Sequence, residues 1–148
     1  MAAVDRGVST VLGYSLNLVV ATLLVVGLLG AAVTLVDSQH DRAARAELDV
    51  IGERFAADVE TADRLTRSAN GGSVSVVSRL PSRIAGSTYD VAIVSESGAA
   101  AVALSLDGND ETVVVPINNE TPIEEFRRTG GTVRIRTSGD GTLEVVDD

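Results

Sequence analysis

The 148-residue sequence has no cysteine, no lysine and no tryptophan, and only one histidine, two tyrosines and two phenylalanines. Without cysteine there is no disulfide framework, no thiolate nucleophile and no cysteine zinc site. Stability must therefore come from the hydrophobic core and from contacts with neighbours. With so few aromatic side chains, a sugar-stacking or peptide-groove site has little to stand on. His40 shares a helix face with Asp37 and Asp41, but no second histidine or cysteine completes a metal shell, so the trio reads as a solvated polar face. All twelve basic residues are arginine and face twenty-one carboxylates, for a net charge of −9. Such a surface repels phosphate, which excludes nucleic acid as a partner.

Catalytic signatures are missing as well. No nucleophile elbow, phosphate loop or nucleotide fingerprint occurs. Glu124 and Glu125 are adjacent, so on a helix they would point apart and could not work as a pair. The Asp107–Glu111 turn offers oxygen ligands but lacks the twelve-residue spacing of a calcium loop. The expectation is a protein that is not an enzyme and holds neither cofactor nor metal.

What the sequence does have is one long apolar run. Residues 7–36 carry no charge, whereas a bilayer core of roughly 30 Å needs only about 20 helical residues. A secretory signal has an apolar region of only about 7 to 15 residues, so cleavage at Gly30-Ala31-Ala32 would discard too much. An ordinary single-pass anchor meets the same hydropathy test, because such a helix satisfies its own backbone in lipid. Gly13, Asn17 and Ala21 recur at four-residue spacing, as do Gly27 and Ala31, in stripes that let helices approach closely. Asn17 is the one amide of the run and needs a partner in lipid.

The start of the run is its most specific part. Arg6-Gly7 followed by Val8-Ser9-Thr10-Val11-Leu12-Gly13 resembles the class III signal of type IV pilins and archaeal flagellins, and in order and position the haloarchaeal pilin-like motif. The resemblance implies cleavage after Gly7 by a prepilin-type peptidase, with Arg6, Gly7 and Val8 as the processing site. It also implies an N-terminal tip that stays cytoplasmic until cleavage and a C-terminal domain outside the cell. Two positions depart from the pattern: Thr10 stands where many relatives have proline. If cleavage follows Gly7, the fifth mature position is Leu12 rather than the glutamate typical of bacterial pilins, which fits the archaeal branch. The acidic, lysine-free composition resembles that of proteins from halophiles, in which self-repulsion is screened over about 3 Å at 1 M salt.

Beyond the run, Leu48, Ile51, Phe55, Val59, Ala62 and Leu65 recur at three and four, which predicts an amphipathic continuation to about Arg67. Gly52 and the Asp37-Ser38 junction are the expected bends. Asn70-Gly71-Gly72 stops the helix. Six valine-, isoleucine- and threonine-rich segments follow, Ser73–Leu80, Tyr89–Ser95, Ala100–Leu106, Glu111–Pro116, Thr132–Thr137 and Thr142–Val146. They are separated by turn residues such as Gly86-Ser87, Ser97-Gly98 and Gly130-Gly131. Short connections predict an antiparallel sheet. Thr121-Pro122-Ile123-Glu124 carries capping-box chemistry and predicts a short helix. Asn119-Glu120-Thr121 matches the glycosylation acceptor pattern in a loop.

The expected fold is α+β and pilin-like: a leader (1–7), a transmembrane or filament-core helix (8–36), an amphipathic extension (37–69) and a small antiparallel β-sheet domain (73–148). The expected function is a pilin-like subunit at the cell membrane. Its partners would be the membrane, the peptidase and other pilin-like subunits, and Gly13, Asn17, Ala21, Gly27 and Ala31 would pack helix on helix. The alternative is a single-pass surface protein whose β domain binds a partner.

Overall fold

The computed structural model describes the backbone of residues 2–96, 98–108 and 112–148, and the side chains of residues 11–95, 98–108 and 112–148. The expected turns at Ser97 and at Asn109-Asp110-Glu111 lie partly outside the described residues. Among the described residues the element order is one helix and seven strands: α1 (Ala2–Ser68), β1 (Ser75–Arg79), β2 (Tyr89–Glu96), β3 (Ala99–Leu106), β4 (Thr112–Pro116), β5 (Phe126–Thr129), β6 (Thr132–Thr137) and β7 (Leu143–Asp147). The fold is α+β with a pilin-like helix-then-sheet architecture. Two compact units are distinguished, residues 1–41 and 42–148. The first is helical throughout its described length; the second holds the remainder of α1 and all the strands.

In the second unit, α1 buries the face that its periodicity marks out. Leu48, Phe55, Val59 and Ala62 are fully covered and Ile51 nearly so. Each large apolar side chain buried there contributes about 1.5–3 kcal/mol. Leu65 departs from expectation, being 45% exposed. The next place on the stripe is taken by Thr66, whose hydroxyl is 3.0 Å from that of Thr137.

The strands form two antiparallel sheets rather than one, ordered β1-β6-β7 and β4-β3-β2-β5. Their inward residues join those of α1 in one core, with Tyr89, Val91 and Leu104 from the larger sheet and Val133, Ile135 and Leu143 from the smaller. Where the sheets meet, Ile123 makes a parallel bridge to Leu143, and Arg128 of β5 pairs with Asp147 of β7.

That junction corrects two expectations. Residues 121–124 form no helix, and β5 is a strand beyond the six expected segments. A helix start needs free N–H groups for its caps, but here they are committed elsewhere. Glu124 N donates to Leu143 O (2.9 Å) and Leu143 N to Pro122 O (2.8 Å), while Thr121 N donates to Asp63 (2.8 Å). The segment is thereby drawn out along β7, and Phe126–Thr129 pairs with Asp90–Ile93 of β2.

Gly52 does not act as a hinge; α1 continues through it. A Cβ there would sit 2.8 Å from Leu104 Cδ1 and 2.9 Å from Val115 Cγ2, so the helix approaches β3 and β4 as closely as a missing side chain permits. The helix ends as expected, with Asn70 and Gly71 in the left-handed region (φ 47° and 88°). Between β1 and β2, Ile84 and Ser87 exchange both backbone bonds across Ala85 and Gly86, whose φ values are 48° and 84°. This is a tight primed turn in which Ala85 takes a conformation that suits glycine or asparagine better.

Candidate functional site

From Val11 to Asp37 every side chain of α1 is exposed. The most apolar window has a mean hydropathy of 2.6 with none of it buried within the chain. Leu16, Leu28 and Val36 are 67%, 70% and 66% exposed. A helix apolar on all sides requires a lipid or protein environment that the rest of the chain does not supply. Both threonine hydroxyls are satisfied internally: Thr22 donates to Leu18 O and Thr34 to Gly30 O, each at 2.8 Å. Such back-bonding removes the desolvation cost that a free hydroxyl would meet in hydrocarbon. This helix is long and apolar enough to span a membrane and suggests single-pass anchoring or a signal sequence.

The expected packing residues Gly13, Asn17, Ala21, Gly27 and Ala31 are all exposed on this segment. A Cβ at Gly13 or Gly27 would meet nothing within 4 Å, so no contact among the described residues calls for glycine at either place. The amide of Asn17 has no partner among the described residues. The backbone of Arg6, Gly7 and Val8 is helical; their side chains lie outside the described residues.

Asp37, His40 and Asp41 are exposed, and no metal-binding cluster occurs among the described residues. Asn119 is half-buried and donates its amide to Thr121 O at 2.8 Å. Thr121, the third residue of the acceptor pattern, is only 8% exposed.

Around Asn119 lies an arrangement that helix periodicity left unseen. The last turns of α1 grip residues 118–121 through polar side chains. Glu60 accepts from Asn118 N (3.1 Å), and Asp63 accepts from Glu120 N (3.3 Å) and Thr121 N (2.8 Å). Arg67 reaches Asp63 at 3.2 Å and Glu120 at 3.0 Å. Burial pushes the Asp63 carboxyl upward, but the hydrogen bonds from Thr121 and the Arg67 charge outweigh it and hold the group below its usual value of 3.8. The pairing of Asp63 with Arg67 at i, i+4 was the one legible signal; the long-range acceptors were not. Close by, a groove of about 530 Å³ runs between the β2–β3 end and residues 117–123. Among the described residues its one ionisable lining side chain is Glu120, already tied to Arg67.

Tyr89 is fully buried, and its hydroxyl donates to Pro81 O at 2.7 Å. Burial, aided by the Glu47 charge, pushes the phenol up to about 12. A Cβ on Gly130 would lie 2.5 Å from this ring, which explains the glycine there. Tyr89 is thus a structural group sealing the sheet, not an accessible acid.

No similar curated protein and no similar solved structure is found. Over residues 3–146 the sequence matches the Family of unknown function (DUF7266), and by that coverage the chain belongs to this family.

Proposed function

We propose that this chain is a non-enzymatic, type IV pilin-like subunit of an archaeal cell surface, cleaved after Gly7 by a prepilin-type peptidase. The observation that carries the reading is the exposure of α1 on every side from Val11 to Asp37, in a helix that then enters the core of a β domain. An apolar helix of this kind sits in the membrane before assembly and against other copies afterwards, both being environments without water. The open positions at Gly13 and Gly27 and the unpartnered Asn17 support contact with neighbouring helices. In this reading the β domain faces outward, and its acidic, lysine-free surface suits a halophile.

The second reading, a single-pass anchored protein whose β domain binds a partner, is favoured by the groove beside residues 117–123. Processing separates the two. Intact mass and terminal sequencing of the protein from its native membrane are expected to show a start at Val8. Arg6→Ala and Gly7→Val are expected to abolish the mass decrease. An intact N-terminus in the unsubstituted protein would remove the pilin reading and leave the anchored module.

A further inference from the structure

An antiparallel sheet with one face on the core and one in water alternates apolar and polar side chains. The larger sheet breaks that rule over three adjacent strands. β3 reads Ala99-Ala100-Ala101-Val102-Ala103-Leu104, β4 contains Val113-Val114-Val115, and β2 contains Val91-Ala92-Ile93-Val94. Near-continuous apolar runs of this kind belong to strands covered on both faces. In this chain Val91, Ile93, Val102, Leu104 and Val113 join the core shared with α1, whereas Ala92, Val94, Ala101, Ala103 and Val114 alternate with them on the opposite face, where Ala92 and Ala101 are already covered, Val94 and Ala103 are half-buried and Val114 is open.

The five residues of this face are contiguous, with Val94, Ala103 and Val114 reaching its surface. Ala92 stands opposite Ala103, Val94 opposite Ala101, and Ala103 opposite Val114. Val114 is 47% exposed. The side chains are small, so a second sheet can lie against them at the usual separation of about 10 Å without interdigitating bulk.

We propose that a second copy of this chain docks on this outward face, sheet against sheet, about a two-fold axis. The charge pattern at its margin points to that occupant. Glu125 and Arg127 are both exposed and flank the hollow beside Ala92 and Val94. Neither has an ion-pair partner among the described residues. Arg127 lies in β5 and Glu125 just before its first residue, two positions apart and lining the same hollow, so a two-fold axis that reverses the strand sets Arg127 of each copy against Glu125 of the other. The patch is self-complementary, as an isologous interface requires. This contact does not depend on cleavage after Gly7, and it closes a pair rather than extending a filament.

The cysteine-free chain gives a clean test. Full-length Ala103→Cys, in detergent and in its native membrane, is treated with a bis-maleimide whose reach matches the roughly 10 Å between stacked sheets. Val77→Cys, 38% exposed on the other sheet, is the control for proximity imposed by the apolar helix. A covalent dimer of this chain is expected to form at least about tenfold faster at Ala103→Cys. Adding Arg127→Glu is expected to slow it about tenfold, and adding Glu125→Arg to that variant to restore it. Val114→Cys, in the same row, reads the same face if Ala103→Cys fails to fold. Equal rates at the two sheets, failure of the double reversal to restore, or cross-linking to a different protein would each overturn the proposal.

Discussion

Asp63 concentrates more structural consequence than any other polar side chain of the β-covered unit. It is 1% exposed and accepts two backbone N–H groups and one guanidinium. Asp63→Asn keeps the shape but weakens every one of those bonds, and is expected to lower stability by about 2 kcal/mol near neutral pH. Because the folded carboxyl titrates below 3.8, its contribution is fully present above that value and is lost as pH falls through the depressed one. The substituted protein should therefore differ from the parent in thermal midpoint at pH 7, and the gap should narrow below pH 3.8. A gap independent of pH would show that the carboxylate charge is not what holds residues 118–121.

Among elements, α1 shows how one residue type serves two ends. At Gly52 an added methyl would collide with Leu104 and Val115, and both are confined, the valine by its branching as well. Gly52→Ala gains about 1 kcal/mol of helix propensity but loses about 1–3 to overpacking, for an expected net loss near 1 kcal/mol. Gly27→Ala meets open space, and the same chemical melt should show the β unit unchanged. If the two substitutions behave alike, close helix–sheet approach is not the reason for Gly52.

Sequence periodicity locates the helix and six strands because those segments repeat at 3.6 or 2, whatever lies far off along the chain. β5 escapes because Phe126-Arg127-Arg128-Thr129 gains its strand character from pairing with β2 and from Arg128 meeting Asp147. Residues 121–124 mislead for the same reason: local capping chemistry is present, but Leu143 and Asp63 claim its N–H groups. The apolar anchor is legible in composition alone. The grip on residues 118–121 is not, since its partners are 53 to 58 positions apart.

For the whole molecule, the net charge of −9 sets the response to salt. Ion pairs such as Arg136–Glu144 and Arg64–Glu60 are exposed on at least one side and contribute at most about 1 kcal/mol each, which salt weakens. The excess of carboxylates acts in the opposite sense, because screening relieves a repulsion spread over the entire surface. The expected outcome is a thermal midpoint that rises by several degrees between 0.1 and 1 M sodium chloride, on the order of 1–2 kcal/mol. A falling midpoint would mean that the ion pairs outweigh the net charge.

The bonds between α1 and the rest of its unit also set an order of events. Asp58 waits for Ser78, twenty positions on; Asp63 waits for Thr121, fifty-eight on; Thr66 waits for Thr137, seventy-one on. Loops of that size are closed late, after the entropy of bringing distant segments together has been met. The amphipathic helix is thus made early and completed late. While the strands are still emerging, Leu48, Phe55 and Val59 stand uncovered, and the growing chain carries a second sticky surface in addition to its anchor.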